Sequence, residues 1–338
     1  MIPFTYTRAD SPESALHAGT APGAYYLGGG SNLVDLMKYG VEAPTTLIDI
    51  NHTGMDKLDA SANGATVGAS VRNSDLANHP GIVQNYPLLS FALLSGASPQ
   101  LRNMATTGGN LMQRTRCYYF TDTNFPACNK RKPGSGCGAV VGFNRIMAVL
   151  GQTDQGPTSP HTCIATNPSD MSVALYALDA QVELLGPKGK RTLPVREFHR
   201  LPGEDPTRDT NLLPDELIVG ITLPASTAKF ARNSWYLKAR DRQSYAFAIV
   251  SVAAGLELEG NTIKSAGLAL GGVAHKPWHS PEAEHALIGK PANDHTFAAA
   301  ADLALRGAKG YKDNAFKVQL AKQCIIRGLN QAAQGVQA

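Results

Sequence analysis

The feature that most limits what this chain can fold into is a stretch with no period at all. Between Gln113 and Val141 the sequence runs through Arg, Asn, Pro, Gly and Cys without the 3.6-residue spacing of a helix or the alternation of a strand. A segment of that length is long for an idle connection in a compact domain, and such loops are usually functional. Three cysteines, Cys117, Cys128 and Cys137, fall inside it, and Cys163 follows just before the segment TNPSDM. Ten residues separate the first pair, eight the second, and twenty-five precede Cys163. Thiolates are the normal ligands of an iron–sulfur cluster, which takes four. Gly and Pro in RCYYFTDTNFPACNKRKPGSGCGA let a backbone wrap such a centre, and Arg116, Lys130 and Arg131 would offset the thiolate charge. No pair has the C-x-x-C spacing of a zinc ribbon. The competing reading is a set of free or disulfide-paired cysteines in a surface loop. Cys324 differs, since it lies on the apolar face of FKVQLAKQCIIRGL and reads as a small buried hydrophobe.

The rest of the chain is regular. AYYL, the loop GGGSN and LVDLMKY read as strand, tight turn and helix. TTLIDI at 45–50 and ATVGAS at 65–70 read as strands, while SDLANHPGIVQNY and PLLSFALLSGA carry helical spacing. QLRNMA reads as extended. After the cysteine stretch, SDMSVALYALD reads as a helix starting near Ser169 or Asp170, followed by strands at QVELLG and LIVGITLP. A boundary between Ala225 and Lys229 separates a C-terminal part in which WYLKARDR, AFAIVSVAAGLELEG and TIKSAGLALGGVA form a small sheet, covered by helices near 282–288, 296–308 and 315–332. At 338 residues the chain exceeds what one core usually covers, and two domains are expected. No internal repeat is visible.

Two glycine loops stand out. Gly28, Gly29 and Gly30 follow a strand and precede a helix whose start holds Ser31 and Asn32. Glycines there can take positive φ and let backbone N–H groups approach a phosphate, while the helix N-terminus supplies roughly half a positive charge. A strand-to-helix turn without a ligand is the alternative. The second loop, ATTGGNLMQ, sets Thr106, Thr107, Gly108, Gly109 and Asn110 together, and hydroxyl and amide donors beside two glycines again suit a phosphate or ribityl chain. Neither is the G-x-G-x-x-G of a Rossmann site, so NAD is not signalled.

Composition removes other classes. There is no apolar run of about eighteen residues, so no transmembrane helix is expected. The N-terminus lacks the basic start, apolar stretch and small-residue cleavage site of export, so the chain is expected to carry no export signal of its own. A net charge of +4 with scattered Lys and Arg gives nucleic-acid binding little support. Five cysteines in this length do not make a disulfide scaffold.

With these residues in view, the chain resembles the FAD-binding subunits of the molybdenum hydroxylase family. The motifs GGGSNL, TTGGNL, NPSDM and DELIVGITLP occur in the family's order, and the resemblance covers almost the whole chain. The cysteine loop resembles the [4Fe–4S]-carrying subset, which includes the flavin subunits of bacterial periplasmic aldehyde oxidoreductases. Ala127, inserted before Cys128, makes the first spacing one residue longer than the family pattern.

The resemblance implies an α+β fold of the vanillyl-alcohol-oxidase/PCMH type. Residues 1–226 would bind FAD, with subdomains of about 1–55 and 56–226 and a [4Fe–4S] loop at 113–163, and residues 227–338 would form a smaller α+β domain. It implies that Tyr26, Leu27, Gly28, Gly29, Gly30, Ser31, Asn32, Leu33 and Val34, with Thr106, Thr107, Gly108, Gly109 and Asn110, hold the FAD diphosphate and adjoining groups. Pro168, Ser169, Asp170, Met171 and Ser172 would meet the ribityl and flavin side, with Ile218 an apolar flavin contact. Lys238 matches a lysine reaching the isoalloxazine, against the commoner fate of a solvated strand charge. Cys117, Cys128, Cys137 and Cys163 match the four cluster ligands. His275, in GGVAHKPW, reads as structural or as a partner contact.

The implied function is that of an oxidoreductase subunit with no catalytic acid, base or nucleophile of its own. Its partners would be a molybdenum cofactor-binding large subunit, a [2Fe–2S] small subunit and an external electron acceptor. Location would be periplasmic within an exported complex, or alternatively cytoplasmic. The rival readings are a cluster-bearing scaffold without FAD, a stand-alone covalent-flavin oxidase, and the flavin subunit of an enzyme acting on an N-heterocycle or acyl-CoA.

Overall fold

The computed structural model describes residues 1–336, whose strands form three sheets. The first is a small parallel sheet of β1 (Thr5–Arg8), β2 (Ala24–Leu27) and β3 (Thr46–Asp49), in the order β1-β3-β2. Parallel neighbours need crossover connections, supplied here by the helices Pro12–Gly19 and Leu33–Lys38. The first of these starts sharply: Pro12 occupies the first turn, and the Ser11 and Ser14 hydroxyls satisfy each other's backbone N–H groups. β1 had no clear signature in the sequence, whereas the Ser11–Pro12 start of the helix after it was a signal that the sequence reading passed over. β1 is four residues long and exposed throughout, so it shows no apolar alternation.

The second sheet is antiparallel, with order β4-β5-β8-β6-β7: β4 (Leu58–Ser61), β5 (Gly64–Gly68), β6 (Gln181–Gly186), β7 (Gly189–Pro194) and β8 (Leu217–Leu223). The central strand β8 thus joins residues far apart in sequence, with Val67 opposite Ile221 on one side and Val182 opposite Ile221 on the other. The helices Pro87–Ser95 and Asp170–Ala177 lie in the core beside it, and the latter is buried on every face. Ser169 caps it by accepting from Ser172 N–H.

The third sheet, β12-β11-β10-β9, comprises β9 (Ser234–Ala239), β10 (Val250–Glu259), β11 (Thr262–Gly271) and the short β12 (Trp278–His279). Residues Val250 to Leu256 of β10 are all buried, because the 19-residue helix Phe316–Gln334 packs on the sheet from one side while Asp170–Ala177 and Pro87–Ser95 approach from the other. That is why AIVSVAAGL reads as a continuous apolar run rather than an alternation. The mixed α+β architecture agrees with expectation. Two local readings do not. QLRNMA is not extended: Pro99–Arg102 is a helical turn capped by the Ser98 hydroxyl, and Pro at its first position made that start legible. The helical stretch 74–86 is two helices, Asn73–Asn78 and Pro80–Asn85, because Pro80 forces His79 into extended backbone.

Candidate functional site

The two glycine loops meet. Loop 28–32 leaves β2, loop 104–107 leads into the short helix Thr107–Leu111, and between them lies a cleft of about 220 Å³. Tyr26, Leu27, Gly28, Gly29, Gly30, Ser31, Asn32, Leu33, Thr106 and Gly109 all line it. The reason for glycine is only partly the one the sequence suggested. Gly30 is left-handed, with φ +70°, whereas Gly29 is required by close approach: a Cβ there would sit 1.9 Å from the Met104 carbonyl oxygen. The loops are held in that contact from behind. Asn51 Nδ2 donates to the Gly28 carbonyl at 3.1 Å, and Arg72 donates to Asn51 Oδ1 at 3.0 Å and to the Met104 carbonyl.

Thr106 caps its helix by accepting from Gly109 N–H, which completes a second backbone turn at the cleft. Asn32 accepts from Arg114 N–H at 2.8 Å through Oδ1, but its buried Nδ2 has no partner in the protein. An unsatisfied buried donor costs on the order of 1–3 kcal/mol, so an unpaired donor on a residue that lines the cleft fits an acceptor-rich guest such as a diphosphate. The glycine-built close approach and this unpaired donor together fit FAD.

The other expected flavin residues lie apart from that cleft lining, in the core that joins the second and third sheets. Asp170 and Lys238 form a buried ion pair at 2.7 Å; Lys238 also donates to the Ser95 carbonyl, and the Tyr236 hydroxyl donates to the other Asp170 oxygen at 2.7 Å. Lys238 is therefore not a solvated strand charge. Burial and the adjacent Asp170 carboxylate push the Tyr236 phenol well above its usual range. Ser169 donates to Asn110 Oδ1 at 2.7 Å, tying this helix start to the second glycine loop. Met171, Ser172 and Ile218 are buried, and Ser172 Oγ has no protein partner.

The four clustered cysteines converge. Cys117, Cys128, Cys137 and Cys163 are all free and buried, and all line one small enclosed space together with Phe120, Asn129, Lys130 and Thr162. Irregular backbone is brought there by specific ties. Cys128 and Cys137 face each other across an isolated β-bridge, and Cys163 pairs similarly with Thr153. Asn129 sits behind them, donating to the Ser159 and Thr162 carbonyls and accepting from Gly136 N–H at 2.8 Å. Cys117 N–H is taken by Thr115 Oγ1 and Cys128 N–H by Ser135 Oγ. Burial pushes the Cys163 thiol up to about 12, opposed by the nearby Lys130 cation, and burial with neighbouring thiols pushes Cys117 higher still.

Among the described residues no three His, Cys, Asp or Glu side chains are grouped as ligands of a single metal ion. A cluster takes its ligands on different irons, so the fit to test is convergence of four soft donors in a dry pocket, and these four meet it. The three nearby cations behave differently from one another. Arg131 donates to the Tyr119, Phe120 and Phe125 carbonyls and so braces the loop. Lys130 is paired to Asp209, while Arg116 lies over the Phe247 ring at 5.1 Å with its Nε unsatisfied. Cys324 is remote, buried within the C-terminal core.

The sequence reading missed the charged group between the two sites. Arg114 lines the glycine cleft, donating to Glu42 at 2.5 Å, to Asp209 at 2.9 Å and to the Thr207 carbonyl at 2.9 Å. Residues 42, 114, 130 and 209 share no spacing that could have flagged them.

Comparison with known proteins agrees with this geometry. Residues 2–226 match the family described as the FAD binding domain in molybdopterin dehydrogenase, and residues 235–332 match the CO dehydrogenase flavoprotein C-terminal domain. The chain is 49% identical over 335 residues to the aldehyde oxidoreductase FAD-binding subunit PaoB of Escherichia coli, covering 98% of this chain and 99% of that one. It is 28% identical to the glyceraldehyde dehydrogenase medium chain of Sulfolobus acidocaldarius, over 86% of this chain and 83% of that one. Among solved structures, carbon monoxide dehydrogenase from Hydrogenophaga pseudoflava superposes with a TM-score of 0.74 at 25% identity, covering 98% of both chains. By sequence and by fold, the chain belongs to the FAD-binding subunits of the molybdenum hydroxylase family.

Proposed function

We propose that this chain is the FAD- and [4Fe–4S]-binding electron-transfer subunit of a molybdenum-containing aldehyde oxidoreductase. Its partners are a molybdenum-cofactor subunit and a [2Fe–2S] subunit, and its electrons leave to an external acceptor. The observation that carries the reading is the pair of adjoining sites: a glycine-walled cleft with an unpaired donor, and four buried thiols converging on one space. Likeness to an aldehyde oxidoreductase FAD-binding subunit over nearly the whole length supports the substrate class.

FAD, when bound, accepts and releases the electrons; the protein's part is position and electrostatics. The two glycine loops hold the diphosphate, with Asn32 donating to it. Asp170 and Lys238 fix each other beside Ser169, Met171, Ser172 and Ile218 on the flavin side. Cys117, Cys128, Cys137 and Cys163 ligate the cluster. The division into an FAD-binding part, 1–226, and a C-terminal part, 227–338, goes with this reading, and the extents of the two family matches support it. The assembled complex is exported to the periplasm, with the cytoplasm as the alternative.

One visible spectrum with iron and flavin counts on the purified complex tests the proposal. Noncovalent FAD, released by acid precipitation, is expected beside about four irons per chain. A colour that stays with the pellet, released FMN, or a preparation free of iron counts against it. The isolated subunit should not oxidise aldehydes; molybdenum-free turnover by this polypeptide alone removes the electron-transfer role.

A further inference from the structure

The charged group between the two sites has a simple wiring. The Arg114 guanidinium forms part of the cleft wall and lies 4.7 Å above the ring of Phe120, which lines the cysteine space. Its Nε donates to Asp209 Oδ2 at 2.9 Å. The other carboxylate oxygen, Oδ1, accepts from Lys130 Nζ at 2.6 Å, and Lys130 lines the cysteine space two residues after Cys128. Lys130 is almost wholly enclosed, its side chain 1% exposed, and its remaining contact is the Pro206 carbonyl at 2.7 Å. His275 Nε2 lies 3.4 Å from the same Asp209 oxygen and makes no hydrogen bond, while its Nδ1 is engaged by the Arg200 carbonyl. Among the described residues, Asp209 is the one that touches a cation from each site. It comes from neither, being carried on the loop after the Val195–Phe198 turn, where the His199–Thr210 bridge holds it.

We propose that Asp209 is a positioning residue that joins the FAD cleft and the cysteine space into one electrostatic unit, fixing Arg114 at the first and Lys130 at the second. The proposal rests on the function proposed above. A carboxylate has two oxygens to give, and here each holds a different cation, so one side chain fixes a charge at each site. Around the enclosed Lys130 and the largely buried Asp209, a unit charge acts on its neighbours with less screening than in solvent. A charge added or removed at this bridge is therefore felt at both cofactors.

The test compares Asp209→Asn and Lys130→Gln with the wild type as purified holoprotein. Reduction is followed by flavin absorbance and by cluster electron paramagnetic resonance during one potentiometric titration. Removing the carboxylate charge favours the added electron at each centre, so Asp209→Asn is expected to move both midpoint potentials upward. Removing the ammonium charge does the reverse, so Lys130→Gln is expected to move both downward. A bridge that merely props up the fold would be loosened by either variant and would shift both the same way. Shifts of like sign, or a shift confined to one centre, overturn the proposal. Should Asp209→Asn fail to fold, Lys130→Gln against Lys130→Arg decides: the first is expected to lower both potentials and the second, which keeps the charge, to leave them near wild type. A wild-type chain without iron or flavin overturns the proposed function as well, whereas loaded protein with uncoupled potentials overturns only this inference.

Discussion

The glycine cleft and the cysteine space are built by opposite means. The cleft is made of backbone: two loops leave regular elements, touch through Gly29 and Met104, and are pinned from behind by Asn51 and Arg72. The cysteine space is made of side chains in irregular chain. There Asn129, Thr115, Ser135 and Arg131 satisfy backbone groups that no ladder satisfies. A backbone-built site cannot absorb an added atom, while a side-chain-built one depends on each member of a tied set. The two should therefore fail in different ways.

The largest effect is expected at the point of loop contact. In Gly29→Val the new Cβ would lie 1.9 Å from a main-chain oxygen, and no rotamer can relieve that. The loops must separate, with loss of FAD and a destabilisation of about 3 kcal/mol or more. Gly109→Ala is the contrast within the same cleft. Its Cβ would meet only the Thr106 hydroxyl, at 2.9 Å; moving that hydroxyl weakens the cap on Gly109 N–H but separates no backbone, so FAD affinity should fall far less. Flavin content after gel filtration and thermal unfolding of both variants check this, and equal flavin content in the two would break the backbone account.

On the cysteine side the effect should spread along the chain rather than stay local. Ligation would tie about fifty residues to one inorganic node, so Cys128→Ser is expected to remove about four irons per chain and to open residues 113–141 to protease. Iron assay and limited proteolysis measure the two together. Iron loss without new cleavage would show that Asn129 and the Arg131 clamp order the loop unaided.

The same contrast governs what could be read from sequence. The glycine loops were legible because strand, turn and helix signals are local, and the four cysteines because thiols are scarce and their company is informative. The extended reading of QLRNMA erred by passing over Ser98 and Pro99, a cap and a first-turn proline. The positive-φ argument held at Gly30 but missed the cause at Gly29, which lies in a contact with a loop some seventy-five residues away. The Arg114, Asp209 and Lys130 bridge was invisible for the same reason, since its members come from distant, unpatterned positions. Lys238, read against the default of a solvated charge, proved to be paired in the core, which only the tertiary fold could tell.

A smaller effect is expected from pH, through a histidine that serves the backbone-built side. His199 is fully enclosed, bonded through Nε2 to the Leu111 carbonyl at the end of the second glycine-loop helix. Burial lowers its pKa from 6.5 to about 4, against a smaller opposing effect of that hydrogen bond. Between these values the unfolded chain binds the proton and the folded chain does not, so stability falls as pH drops from 6.5 toward 4. The full span is on the order of 3 kcal/mol. Urea unfolding across this window should give a shallower acid slope in His199→Gln; an unchanged slope would assign the acid loss to other groups, with buried His275 the first to test.

The smallest effect separates the fifth cysteine from the other four. Cys324 sits in the helix Phe316–Gln334, buried against the third sheet's core with Ala321, Ile325 and Val252 in the same cluster, and burial pushes its thiol up to about 11. A thiol held neutral among aliphatic neighbours acts as a small hydrophobe, so its removal should be felt as packing alone. Cys324→Ala removes one sulfur atom from a helix position where alanine is itself favourable, and a cost of about 1 kcal/mol is expected. Iron content and the protease resistance of residues 113–141 should stay at wild-type levels, because no part of the helix lines the cysteine space. Measuring iron and unfolding in Cys324→Ala beside Cys128→Ser thus sets a packing cysteine against a ligand cysteine. Iron lost from the Cys324 variant and kept in the Cys128 variant would mean that the four converging thiols are not the ligand set.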